Sequence, residues 1–82
     1  MARARARVPE SLSDLTRSDW ERVIFQAALG QEDTKIATMY LLDAIPQIDI
    51  GIELGLERST VSRRLPKILN KIERTARKIN IF

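Results

Sequence analysis

The last third of the chain carries an apolar seam with the spacing of one long α-helix. Six apolar residues recur at intervals of four, four, three, four and three, which places them on one side of a helix: Val61, Leu65, Leu69, Ile72, Ala76 and Ile79. We therefore predict a helix from Arg58 to about Asn80. Pro66 lies inside this segment and removes one backbone hydrogen bond, so we expect a kink or break there and two helical pieces.

The first helix is predicted from a capping signal and an apolar stripe. The segment Ser18 to Glu21 resembles a capping box, so the helix should begin near Asp19. Gly30 supplies a left-handed residue, which predicts an end near Leu29. The stripe has helical spacing and consists of Trp20, Val23, Ile24, Ala27 and Ala28. We interpret the tryptophan as a core residue; a stacking platform for bases is the alternative.

Two further helices are predicted between glycine and proline boundaries. Acidic residues at 32 and 33 favour a helix start, and Pro46 limits this second helix to about 32–44. A third helix of about two turns should begin just after Pro46 and end at Leu54, because Gly55 follows it. The chain shows no sustained strand-like alternation. The predicted fold is all-α, a compact bundle of four to five helices.

Composition excludes several functional classes. A chain of 82 residues forms one domain. It has no cysteine and no histidine, so disulfides, thiolate or imidazole metal sites and the common nucleophile-imidazole pairs are excluded, and we expect no cofactor. No apolar run is long enough to cross a bilayer, and Val8-Pro9-Glu10 stands where an export signal would be apolar. We expect a cytoplasmic protein that does not bind a membrane.

Charge is distributed unevenly along the chain. Residues 1–7 carry three bases and no acid, residues 8–56 carry nine acids and three bases, and residues 57–82 carry eight bases and two acids. Basic segments that flank an acidic one suggest one surface for a polyanion and another for a different partner or for solvent. A solvated helix surface is the alternative interpretation.

The segment from Ile50 to Leu65 has the spacing of a helix-turn-helix. That motif needs a small residue where the two helices cross and a glycine in the turn, roles that Gly51 and Gly55 can fill. A glycine inside a helix costs about 1 kcal/mol relative to alanine, so Gly51 indicates a close backbone approach. The apolar positions that should be buried around the turn are Ile50, Leu54, Leu56, Val61 and Leu65.

Residues 50–72 resemble region four of bacterial sigma factors. The resemblance is carried by Ile50-Gly51, by Leu56-Glu57-Arg58 and by the stretch from Val61 to Ile72, whereas residues 15–45 match more loosely. Glu57 and Pro66 depart from the family pattern. The resemblance implies a small bacterial or phage transcriptional regulator that binds specific double-stranded DNA and associates with RNA polymerase. We divide the chain into a flexible basic arm, 1–14, which has too little apolar content to pack, and a DNA-binding domain, 15–82, with its helix-turn-helix at about 46–66 and an extended basic C-terminal helix.

Two sets of side chains are candidates for DNA contact. Residues near the start of the long helix are predicted to contact base edges: Arg58, Ser59, Thr60, Ser62 and Arg63. Residues further along it, with the arm, are predicted to contact phosphates: Arg64, Lys67, Lys71, Arg3, Arg5 and Arg7. The arm resembles basic arms that enter the minor groove; a solubilising tail is equally consistent with its composition.

Other functions remain open at this level. A protein-interaction adaptor would use the acidic surface of residues 19–53 and would not bind specific DNA. The apolar seam could pair with a second copy in a homodimer, but packing on the chain's own first helix is favoured. An enzyme would have only carboxylates to work with, so we expect none: Asp14, Asp19, Glu32, Asp33, Asp43, Asp49 and Glu53. The sequence does not separate an activator from a repressor.

Overall fold

The computed structural model describes residues 15–79, and these residues form helices without any strand. The helices are α1 (Arg17–Ala27), α2 (Gln31–Ala37), α3 (Gln47–Leu54) and α4 (Arg58–Lys78), and a π-helical segment, Thr38–Leu42, directly continues α2. The predicted all-α fold is confirmed. None of these helices combines the length and the apolar character that a membrane span requires.

The core is organised around α4, which contacts α1, α2 and α3. Trp20 is only 8% exposed, so its interpretation as a core residue is confirmed. The apolar seam of α4 is buried against the rest of the chain except for Ile79, which is half-buried, and α1 supplies part of the opposing surface. The buried apolar residues are Trp20, Val23, Ile24, Ala27, Ile36, Ala37, Tyr40, Ile50, Val61, Leu65, Ile68, Leu69, Ile72 and Ala76.

The start of α1 differs from the prediction. The N-cap is Thr16 and not Ser18: the Thr16 hydroxyl accepts from the Asp19 backbone N–H at 3.1 Å, and the Thr16 N–H donates to the Asp19 carboxylate at 3.3 Å. Leu15 and Trp20 then occupy the two positions of a hydrophobic staple, and Leu15 packs against the core. Apolar packing next to the cap therefore favours the earlier of two similar capping sequences.

The end of α1 is also earlier than predicted. The helix stops at Ala27, and Ala28 adopts the left-handed conformation with φ 51°. Ala28 is consequently exposed and does not belong to the buried stripe. Gly30 does have a positive φ of 95°, but it stands just before α2. The predicted second helix corresponds to α2 and its π-helical continuation.

Of the kink or break predicted at Pro66, the break into two pieces is wrong, because α4 is one helix of 21 residues that passes through Pro66. Pro66 lies on the exposed side of α4. The Ser62 carbonyl that loses its amide partner therefore has access to water, which reduces the cost of the missing bond. Leu65, Ile68 and Leu69 are buried on the opposite side and hold the helix on the core across this position.

Candidate functional site

The site is built on the turn that joins α3 to α4. The bounds of α3 are those predicted, with Pro46 before it and Gly55 after it at φ 71°. The Leu56 N–H donates to the Gly51 carbonyl at 2.8 Å, and the Gly55 N–H reaches the Ile52 carbonyl at 3.4 Å. This pair of bonds is a Schellman motif, which satisfies the last carbonyls of α3 and fixes the direction of the following chain.

Gly51 stands at the closest backbone approach of this turn. A Cβ atom at this position would lie 2.7 Å from the Leu56 carbonyl oxygen, and it would also contact the backbone of Glu57 and Arg58. Such a contact is too short for any side chain, so the close approach expected of Gly51 is confirmed. The backbone that it approaches is the turn and the first residue of α4. Glycine at this position lets α4 begin directly beside α3.

The side of α4 opposite the core carries a stripe of basic and polar residues, which we call the basic stripe. Its members recur at intervals of four, four, three and four, and all are exposed: Ser59, Arg63, Lys67, Asn70 and Arg74. The stripe contains no acid. At a rise of 1.5 Å per residue it extends for about 22 Å along the helix. It is therefore a long surface of one charge sign that an extended polyanion could follow.

The predicted base-contact residues are grouped at the first turns of α4. Arg58, Ser59, Ser62 and Arg63 are exposed, whereas Thr60 is half-buried. Ser59 and Arg63 belong to the basic stripe. Ser62 lies instead on the side of α4 that faces α3. Its hydroxyl donates to the side-chain oxygen of Gln47 at 2.7 Å.

Gln47 is a site residue that the sequence analysis missed. It is the first residue of α3, and although polar it is only 7% exposed. Its bond to Ser62 joins the start of α3 to the second turn of α4, across fifteen positions of sequence. No local pattern signals this pair. Asn70 was missed as well, although its spacing from Arg63 and Lys67 would have placed it on the same stripe.

Arg64 points towards α2 and is engaged there. Its guanidinium Nη1 lies 2.6 Å from Glu32 Oε1 and 3.2 Å from Asp33 Oδ1. The hydrogen bond to Glu32 raises the pKa of Arg64, partial desolvation opposes this, and the charges of both carboxylates add to it. A phosphate would have to compete with two carboxylates for this side chain. Its predicted phosphate contact stays a prediction.

The other predicted phosphate contacts fall into two groups. Lys67 and Lys71 are exposed and make no ion pair within residues 15–79. Near the end of α4, Lys71 lines a shallow cavity of about 390 Å³ with Arg74, Thr75, Arg77 and Lys78. Arg3, Arg5 and Arg7 lie outside the described residues.

The exposed side of α3 has a different character from the basic stripe. Ile48 and Ile52, one helical turn apart, are 51% and 75% exposed. Asp49 and Glu53 follow them in sequence and are also exposed. Within the described part of the chain, no group of three or more acidic side chains is arranged to hold a metal ion. This face is acidic and apolar, and it offers nothing to attract a polyanion.

Comparison of the chain with protein-family models, with curated proteins and with solved structures finds no match.

Proposed function

We propose that α3 and α4 form a helix-turn-helix that binds specific sequences of double-stranded DNA, and that the protein is a transcriptional regulator. The observation that carries this proposal is the basic stripe: an acid-free, exposed helix face that begins at a tight glycine turn and is backed by a buried apolar seam. A recognition helix needs this combination, because one side must pack on the domain while the other enters the major groove.

The order of residues along the stripe supports a division of roles. The start of a recognition helix is the part that contacts base edges, and here it presents Ser59 and Arg63. Arginine can bind guanine through two hydrogen bonds, and such a pair discriminates by about 1–3 kcal/mol. Lys67 and Arg74 lie further along the helix, where phosphate contacts would add affinity and salt dependence.

The resemblance to sigma region four gives the same interpretation of α3 and α4. From that resemblance and from the composition, we also propose that the protein contacts RNA polymerase, is cytoplasmic and has no enzymatic activity. The apolar seam does not supply a second-copy interface in this proposal, because Leu65, Leu69 and Ile72 are already buried in the core. A homodimer would need another surface.

The test is selection from random duplexes at several salt concentrations, with sequencing of the bound fraction. We expect one enriched motif in the parent protein, and we expect Arg63→Ala to lose discrimination at one base pair of it. Arg22→Ala is the matched control, since Arg22 is an exposed arginine on another helix, α1, and is not among the buried residues with which α1 packs on the core. The control variant should enrich the same motif with the same strength.

Two results would contradict the proposal. Binding that weakens steeply with salt but enriches no motif would indicate non-specific attraction to phosphates. Equal effects of Arg63→Ala and Arg22→Ala would mean that α4 is not the recognition helix.

The second candidate function is a protein-interaction adaptor, and the exposed Ile48 and Ile52 beside Asp49 and Glu53 favour it. Exposed isoleucines one turn apart with flanking acids suit a basic, amphipathic partner segment. A folded protein that binds no duplex even at low salt would favour this function over DNA binding.

A further inference from the structure

We infer that Gln47 determines base specificity through Ser62: its side-chain oxygen takes the single hydroxyl proton of Ser62, which leaves Ser62 able to accept a hydrogen bond from a base but not to donate one. This inference rests on the proposed function, because it concerns which bases the start of α4 selects.

The geometry supports a well-formed hydrogen bond. The distance of 2.7 Å between the two oxygens is typical of O–H···O bonds in proteins. Gln47 is buried, so its side chain is confined by the packing of α3 on α4. Ser62 as a residue is exposed and its bond to Gln47 is part-buried, so its hydroxyl lies at the border of the α3–α4 contact, and we infer that a ligand at the start of α4 can reach it there. A buried amide thus sets the hydrogen-bonding polarity of the Ser62 hydroxyl.

Base chemistry turns this polarity into a preference. In the major groove, adenine and cytosine present amino groups that donate, whereas guanine and thymine present carbonyl oxygens that accept. A free serine hydroxyl can pair with either kind. A hydroxyl that can accept but not donate a hydrogen bond pairs well with the amino groups. At a carbonyl oxygen its lone pairs face other lone pairs, which is repulsive. Ser62 should therefore favour adenine or cytosine at its base position.

Ser59 provides an internal comparison. It is exposed on the same turns of α4, and its hydroxyl has no hydrogen-bond partner among residues 15–79. No described residue takes its proton, so Ser59 is expected to donate or accept. The two serines therefore differ in polarity because only one of them lies against Gln47.

The experiment is the same duplex selection, carried out on the full chain with variants at both residues. For the parent protein we expect about a fivefold preference for adenine or cytosine over guanine or thymine at one position of the motif, as one neutral hydrogen bond supplies. Ser62→Ala should abolish the preference at that position alone. Gln47→Met, which has a similar length but no acceptor oxygen, should reduce it to less than twofold.

Gln47→Glu is the conservative variant. Its carboxylate still accepts the Ser62 proton, so the preference should persist, while the added negative charge lowers affinity for all sequences alike. A purely structural role of Gln47 would not separate Gln47→Met from Gln47→Glu in this way. Circular dichroism of each variant checks that it is folded.

A second measurement needs no variant at residue 47. In the parent protein, NMR should show a slowly exchanging Ser62 hydroxyl proton with an Overhauser contact to the Gln47 side chain. A Gln47 amide N–H that donates to Ser62 would overturn the inference, and so would an amino preference that survives Gln47→Met. If a motif is enriched but does not change in the variants of Gln47 and Ser62, this inference is overturned and the proposed function is not. No enrichment at any salt concentration would overturn it together with the proposed function.

Discussion

Replacing Gly51 with alanine should destabilise the protein, although glycine-to-alanine changes inside helices are usually stabilising. The added Cβ would lie 2.7 Å from the Leu56 carbonyl oxygen, so the turn must move by several tenths of an ångström. Such overpacking costs about 1–3 kcal/mol. Distortion of the hydrogen bond from the Leu56 N–H to the Gly51 carbonyl adds about 1 kcal/mol. The higher helix propensity of alanine offsets about 1 kcal/mol of this loss.

The net loss for Gly51→Ala is therefore about 1–3 kcal/mol, and a loss of 2 kcal/mol would lower the melting temperature by about 8–16 °C in a domain of this size. Urea denaturation followed by circular dichroism measures it, with the denaturant slope unchanged between variants. A Gly51→Ala protein as stable as its parent would refute the close approach at this turn.

Substitutions at Gly55 test backbone strain in the absence of the close contact that exists at Gly51. A Cβ at Gly55 would meet no atom within 4 Å, but φ is 71°. Gly55→Ala should therefore cost about 1–2 kcal/mol through its left-handed backbone, and Gly55→Asn should cost less, because asparagine tolerates that conformation. Gly51→Asn should not be less destabilising than Gly51→Ala, since the cost at position 51 is a steric clash of the Cβ atom.

Three further predictions concern α4 and the core. Lys67→Ala should reduce the slope of log affinity against log salt by about 0.9, whereas Arg64→Ala should change it less because Arg64 is already paired with Glu32; titrations at several salt concentrations measure both. Pro66→Ala should stabilise the protein by about 2 kcal/mol in urea denaturation, because it restores one helical hydrogen bond; an unchanged midpoint would contradict this. Trp20 emission should resist acrylamide quenching and stay unchanged when duplex is added, since the side chain is buried; quenching by DNA would indicate base stacking.

Local signals in the sequence were sufficient where they were unambiguous. Pro46 and Gly55 bracket α3, and the structure keeps both bounds. The α4 seam was predicted from spacing alone, and its burial follows because one apolar face must be covered. At α1, two similar capping sequences overlapped, and the hydrophobic packing of Leu15 decided between them. That choice depends on tertiary structure and could not be made locally.

The contacts that distinguish the site depend on residues far apart in sequence. The sequence predicted a base contact for Ser62 and a phosphate contact for Arg64, but it did not show that Ser62 lies against Gln47 and Arg64 against the carboxylates of α2. Pro66 was judged by its usual effect, and only its exposed position explains why α4 continues through it. Periodicity shows which side of a helix is buried; it does not show which partners each polar residue meets at the border of that side.

Binding of DNA by the basic stripe can be tested directly by an NMR titration of the protein with duplex DNA at low salt, with amide shifts mapped on the helices. We expect the largest changes at Ser59, Arg63 and Lys67 on α4, and we expect added salt to reverse them. Largest changes around Arg22 on α1, or no change at all, would contradict the claim that the basic stripe binds DNA.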